Sequence, residues 1–107
     1  MPDKTRLEQI QELLAADPDD PFLGYALAME HAGAGDDATA VHRFRELIAK
    51  SPRYVPSYLM AAQCLARLGH DDEAKEVLRQ GVTAARQEND QHALGEIQEL
   101  LDRLEDL

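Results

Sequence analysis

His31 and His42 stand on either side of Asp36 and Asp37. Two imidazoles with two carboxylates are a donor set that could hold a metal ion if a turn brought them together. His70-Asp71-Asp72 offers a smaller version of the same chemistry, and Cys64 is the single thiol. Each feature also has a plainer reading. His and Asp at helix ends are ordinarily solvated, and carboxylates in a first helical turn meet the positive end of the helix dipole. A Cys beside Leu65 on an Ala-rich helix acts as a small buried hydrophobe rather than a nucleophile. No glycine-rich phosphate loop or nucleophile motif accompanies these residues. The expectation is a chain with no catalytic residue, no metal site and no cofactor.

The bulk composition narrows the partners. A length of 107 residues suits one domain with a single core. The 11 cationic and 21 acidic side chains give a formal net charge of −10. Phosphate recognition runs on clusters of Lys and Arg, so neither nucleic acid nor an anionic membrane surface is an expected partner. Arg outnumbers Lys by 8 to 3, and Asp supplies 11 of the acids. That bias fits a salt-rich cytoplasm, where net charge maintains solubility, and a GC-rich coding bias explains the Arg excess equally well. One Cys cannot form an internal disulfide. MPDKTRLEQI has no apolar run like that of a signal peptide, and no segment reaches membrane-spanning length. The expected location is the cytoplasm.

The elements that position these residues read as helices throughout, six in number, with no strand pattern. The first runs from about residue 3 to 16, with Thr5 and Glu8 as a capping box and Leu7, Ile10, Leu13 and Leu14 on one face. DPDDP at 17–21 stops it, and Pro21 suits the first position of a second helix reaching about His31. AGAGDD breaks that helix, with Asp36 or Asp37 as the next cap. The third, about 37–50, carries Ala40, Val41, Phe44, Leu47 and Ile48 on one face, and SPRYVP ends it. The fourth, about 56–68, stops at Gly69. The fifth, about 71–88, stops at END, and Leu94, Ile97, Leu101 and Leu104 mark the last.

The chain repeats itself at a spacing of 34 residues. That shift pairs Ala28 with Ala62, Gly35 with Gly69, Asp37 with Asp71, Ala40 with Ala74 and Arg45 with Arg79. It also lays ELLAADP at 12–18 on ELIAKSP at 46–52. A helix-turn-helix period of this length resembles the tetratricopeptide repeat. Against that family's pattern, Ala40, Phe44 and Pro52 match in the first full unit, while Gly24 replaces the large aromatic residue. In the second unit Tyr58, Ala61, Ala62, Ala74 and Leu78 match, and Arg86 replaces the closing Pro. Without that Pro the fifth helix is free to run on, and the last helix fits best with Tyr58 paired to Leu94, a spacing of 36.

The resemblance implies an all-α solenoid of antiparallel helix-turn-helix repeats. Residues 1–18 form an N-terminal capping helix, 19–54 the first repeat, 55–88 the second and 89–107 a C-terminal capping helix. It further implies a non-catalytic interaction module of the kind found as small stand-alone proteins in bacteria. The first helix of each pair would line a shallow concave groove for a peptide or partner helix. The residues at those positions are Phe22, Tyr25, Met29, Leu59 and Gln63, with Arg67 at the rim. Family members that hold acidic chaperone tails use Lys and Asn on this face, whereas the matching positions here are Tyr25, Met29 and Met60, none able to neutralise a carboxylate. An apolar stripe at helical spacing also reads as covered core. The alternative function is self-association, a homodimer through the groove or through the C-terminal helix.

Overall fold

The computed structural model describes residues 3–106, which form six α-helices and no strand. They are α1 (Arg6–Ala16), α2 (Pro21–Gly33), α3 (Asp37–Lys50), α4 (Pro56–Arg67), α5 (Asp71–Gln87) and α6 (Gln91–Glu105). Each packs against the next in sequence, and α4 also touches α6. The result is an elongated body of 51 × 29 × 20 Å, as expected of a helical solenoid stacked from local hairpins.

Side-chain caps start four of the helices. Thr5 Oγ1 accepts from the Glu8 amide at 3.1 Å, Asp20 from Phe22 at 2.9 Å, Asp36 from Thr39 at 3.2 Å and Asp90 from Ala93 at 3.0 Å. With Thr5 as the cap, α1 begins at Arg6, three residues later than its periodicity suggests. Only half of its capping box forms: Glu8 Oε1 accepts from the Thr5 hydroxyl rather than from the Thr5 amide. His70 contributes no cap bond, and Asp71, Asp72 and Glu73 supply negative charge to the first turn of α5 instead.

The helix ends reuse one device. Gly35 and Gly69 have φ of +84° and +80°, and Asn89 takes the same left-handed region at +55°. In each case two backbone bonds close the helix: Asp36 to His31 and Gly35 to Ala32, His70 to Leu65 and Gly69 to Ala66, Asp90 to Ala85 and Asn89 to Arg86. The third closure ends α5, which has 17 residues against 14 in α3. Arg86 thus permits the extension that Pro52 prevents one unit earlier.

The core follows the repeated small and large positions. Ala28, Ala40, Ala61, Ala62 and Ala74 are completely buried and let the helices approach, while Phe44, Leu65, Leu78 and Ile97 fill the space between. Ile97, Leu100, Leu101 and Leu104 of α6 belong to this same core. In α1 only Ile10 is buried, Leu7 and Leu14 are half-buried, and Leu13 is 56% exposed. α1 packs chiefly on α2, so one flank of its apolar face has no partner helix.

Candidate partner-binding surface

The faces of α2 and α4 carry the expected groove residues in different environments. Phe22 is 63% exposed. Tyr25, Met29 and Leu59 are half-buried against the core, and Gln63 is also half-buried. The Tyr25 ring centroid lies 5.9 Å from that of Phe44 and 5.7 Å from that of Tyr54, both tilted. This is the favoured arrangement for aromatic pairs. Burial raises the Tyr25 phenol above its ordinary range, with neighbouring Tyr54 adding to the effect. The hydroxyl therefore stays protonated and able to donate.

Tyr25 and Leu59 meet in one hollow of about 310 Å³. Pro56 and Met60 of α4 extend its floor, and Ala93 and Ile97 of α6 form the opposite wall. Val55, Asp90, His92 and Glu96 complete the lining, and no Lys or Arg takes part. His92 Nε2 and Glu96 Oε1 stand 3.0 Å apart. Phe22, Met29, Gln63 and Arg67 lie outside this hollow.

The sequence assigned α6 to capping, or alternatively to a homodimer contact, and missed its contribution to the hollow. The signal was the spacing of 36 that pairs Tyr58 with Leu94, because the same shift carries Pro56 onto His92 and Met60 onto Glu96. α6 therefore both covers the core and continues the row begun by α2 and α4.

Arg67, at the end of α4, is engaged with α3. Its Nη2 donates to Asp37 Oδ1 at 2.9 Å and its Nε to Oδ2 at 3.1 Å, a fork-on-carboxylate pair. Nη2 also reaches Cys64 Sγ at 3.3 Å. The bond from Arg67 holds the Asp37 carboxyl below the usual range. Cys64 is 1% exposed, and burial pushes its thiol up to about 11, so it is no nucleophile near neutral pH.

A second hollow, of about 190 Å³, opens between α1, α2 and α3 beside Gly24. Its floor is Leu14, Leu27 and Leu47, and its rim mixes Arg43 and Lys50 with Asp19, Asp20 and Glu46. The pairs around His42 and His70 are with single glutamates, Glu46 at 3.5 Å and Glu73 at 3.8 Å. Among the described residues no three His, Cys, Asp or Glu side chains gather as a metal site would need. Among the described residues, no helix is long and apolar enough to cross a membrane.

A family profile described as "Tetratricopeptide repeat" matches residues 31–96. A tetratricopeptide repeat domain protein of Salinibacter ruber is similar in sequence and shape. Its crystal structure is 36% identical, covers 82% of this chain and 98% of that one, and superposes with a TM-score of 0.78. Its solution structure is 37% identical over 84% of this chain and 91% of that one, with a TM-score of 0.79. Two further structures share the fold at lower identity. A Bordetella parapertussis protein is 23% identical over 97% of this chain and 90% of that one, with a TM-score of 0.83. The Yersinia enterocolitica type III secretion translocator chaperone SycD is 17% identical over 92% and 69%, with a TM-score of 0.84. No curated protein matches the sequence.

Proposed function

The chain belongs to the tetratricopeptide repeat family, and from that premise we propose that it is a non-catalytic adapter that holds a peptide or partner helix against the faces of α2, α4 and α6. The observation that carries this reading is the hollow of about 310 Å³ in which Tyr25 and Leu59 meet. Rigid aromatic and flexible Met side chains around a concavity give large contact area at low ordering cost. Phe22, exposed on the same face of α2, extends the contact, while Met29 and Gln63 continue it along the two helices. Arg67 acts at the rim mainly by tying α4 to α3. The same fold serves as a translocator chaperone in Yersinia, a likeness of fold alone.

In this reading residues 19–54 and 55–88 are the two repeats, and the helices within 1–18 and 89–107 close the ends. The adapter works in the cytoplasm and has no catalytic step. Self-association through the groove or the C-terminal helix is the second reading, and Phe22, exposed on the groove face of α2, favours the groove as its contact. The α6 leucines already serve the chain's own core.

The test is affinity capture from native lysate by wild type and by a Phe22→Ala, Leu59→Ala double variant, each first shown folded by circular dichroism. A protein retained by wild type and lost by the variant supports the adapter. Equal retention, or none, removes it. A concentration-dependent mass in light scattering that the same variant abolishes establishes self-association instead.

A further inference from the structure

The charges at the concave hollow define its occupant more narrowly than its shape does. We propose that the hollow between α2, α4 and α6 takes a cationic apolar segment: a peptide or helix that inserts a Leu- or Phe-like side chain and flanks it with Lys or Arg. This deepens the adapter reading and rests on it.

A contrast between two of the hollows motivates the proposal. The one beside Gly24 carries Arg43 and Lys50 with its acids, and Arg43 Nη1 pairs with Glu46 Oε1 at 3.0 Å. The concave one has Asp90 and Glu96 at its mouth and His92 as its one basic group. Three of the cations elsewhere are engaged with acids of another segment: Arg45 of α3 with Glu73 of α5 at 2.8 Å, Arg53 before α4 with Glu88 after α5 at 2.6 Å, and Arg67 of α4 with Asp37 of α3 at 2.9 Å. The apolar floor of Tyr25, Leu59 and Met60 thus stands beside the carboxylates of Asp90 and Glu96, with no Lys or Arg in the lining.

An acidic segment approaching this hollow would meet Asp90, Glu96 and a chain of net charge −10. A cationic segment gains attraction at each of these, weakened by salt over about 10 Å at 0.1 M. Apolar burial supplies affinity, and the charges select between partners. The phenol ring of Tyr25 and the carboxylate of Glu96 together also suit an ammonium group, which is attracted to aromatic faces.

The experiment uses three synthetic probes with the same leucine spacing and with lysine, glutamine or glutamate between the leucines. Binding is followed by fluorescence anisotropy to wild type, Glu96→Lys and Glu76→Lys. Glu76 lies on α5, away from the concave hollow, and controls for net charge. The leucine–lysine probe should bind wild type most tightly. Glu96→Lys should weaken that probe about tenfold and strengthen the leucine–glutamate probe, while Glu76→Lys changes either by less than about twofold.

Equal weakening by the two variants overturns the proposal, because attraction is then diffuse. A wild-type preference for the glutamine or glutamate probe overturns it as well. If that preferred probe is released by Phe22→Ala, Leu59→Ala, the adapter reading survives and only the charge assignment falls. If no probe binds and the double variant still retains every lysate protein, both fall.

Discussion

A Cβ added at Gly81 would stand 2.7 Å from the Cβ of Tyr58 and 3.2 Å from Ile97 Cδ1, so α5 crosses α4 where no larger residue fits. One unit earlier the sizes are exchanged: Gly24 occupies the α2 position and Leu47 the α3 position. A Cβ added at Gly24 meets Leu47 Cδ1 at 3.4 Å, an ordinary contact. Tyr58 is thereby held at 3% exposure, with its hydroxyl donating to the Pro52 carbonyl at 2.5 Å. The two repeats solve the same packing problem with the large residue on opposite helices.

The exchange makes two alanine substitutions opposite in sign. Gly81→Ala should destabilise by about 1–3 kcal/mol through overpacking, since Tyr58 Cβ cannot swing away. Gly24→Ala should be neutral or stabilise by up to about 1 kcal/mol, because it removes a helix-interior glycine. Thermal melts of the two variants check both signs together.

Phe44 is completely buried beside Tyr25. Phe44→Ala should cost about 3–5 kcal/mol, a large share of the 5–15 kcal/mol typical of a whole domain. Urea denaturation reads this directly, and an unchanged midpoint would refute the core placement.

Cys64 should resist alkylation in the folded protein. Its thiol is raised from about 9 to about 11, mainly by burial. A raised folded value means that the associated stability is intact below the unfolded value near 9 and is lost as pH climbs through 11. Iodoacetamide labelling near pH 8 should therefore proceed at the rate of unfolding. Rapid stoichiometric labelling of native protein would contradict the burial.

The Arg67–Asp37 pair should be acid-sensitive. Arg67 lowers the Asp37 carboxyl below its ordinary 3.8, so the pair's contribution is complete above that value and disappears as pH falls through the lower folded one. Asp37→Asn should reduce the melting temperature at pH 7, by an amount that shrinks as the pH falls below 3.8. A difference independent of pH would show that the ion pair is not its source.

The solenoid was legible because its signals are local. Glycines, prolines and caps lie within a few residues of the boundaries they set, and the spacing of 34 gave the stacking order. What escaped depends on neighbours distant in the chain. Leu13 shares the helical period of Ile10, yet no helix covers it. The Arg67–Asp37 bond joins residues on different helices. The Gly24–Leu47 exchange was written in the repeat alignment, but its meaning appears only where α5 crosses Tyr58. The α6 wall followed from the shift of 36 and was obscured because the same helix also buries Ile97 and Leu101.

The central claim is that the α2–α4–α6 face holds a partner. A photo-crosslinking phenylalanine analogue placed at Phe22, which is 63% exposed, tests it in the living cell. The same group at Thr83, exposed on α5, serves as the reference. Irradiation should give a discrete adduct from position 22 and none from position 83. No adduct from position 22, or the same adduct from both, would contradict the assignment of this face.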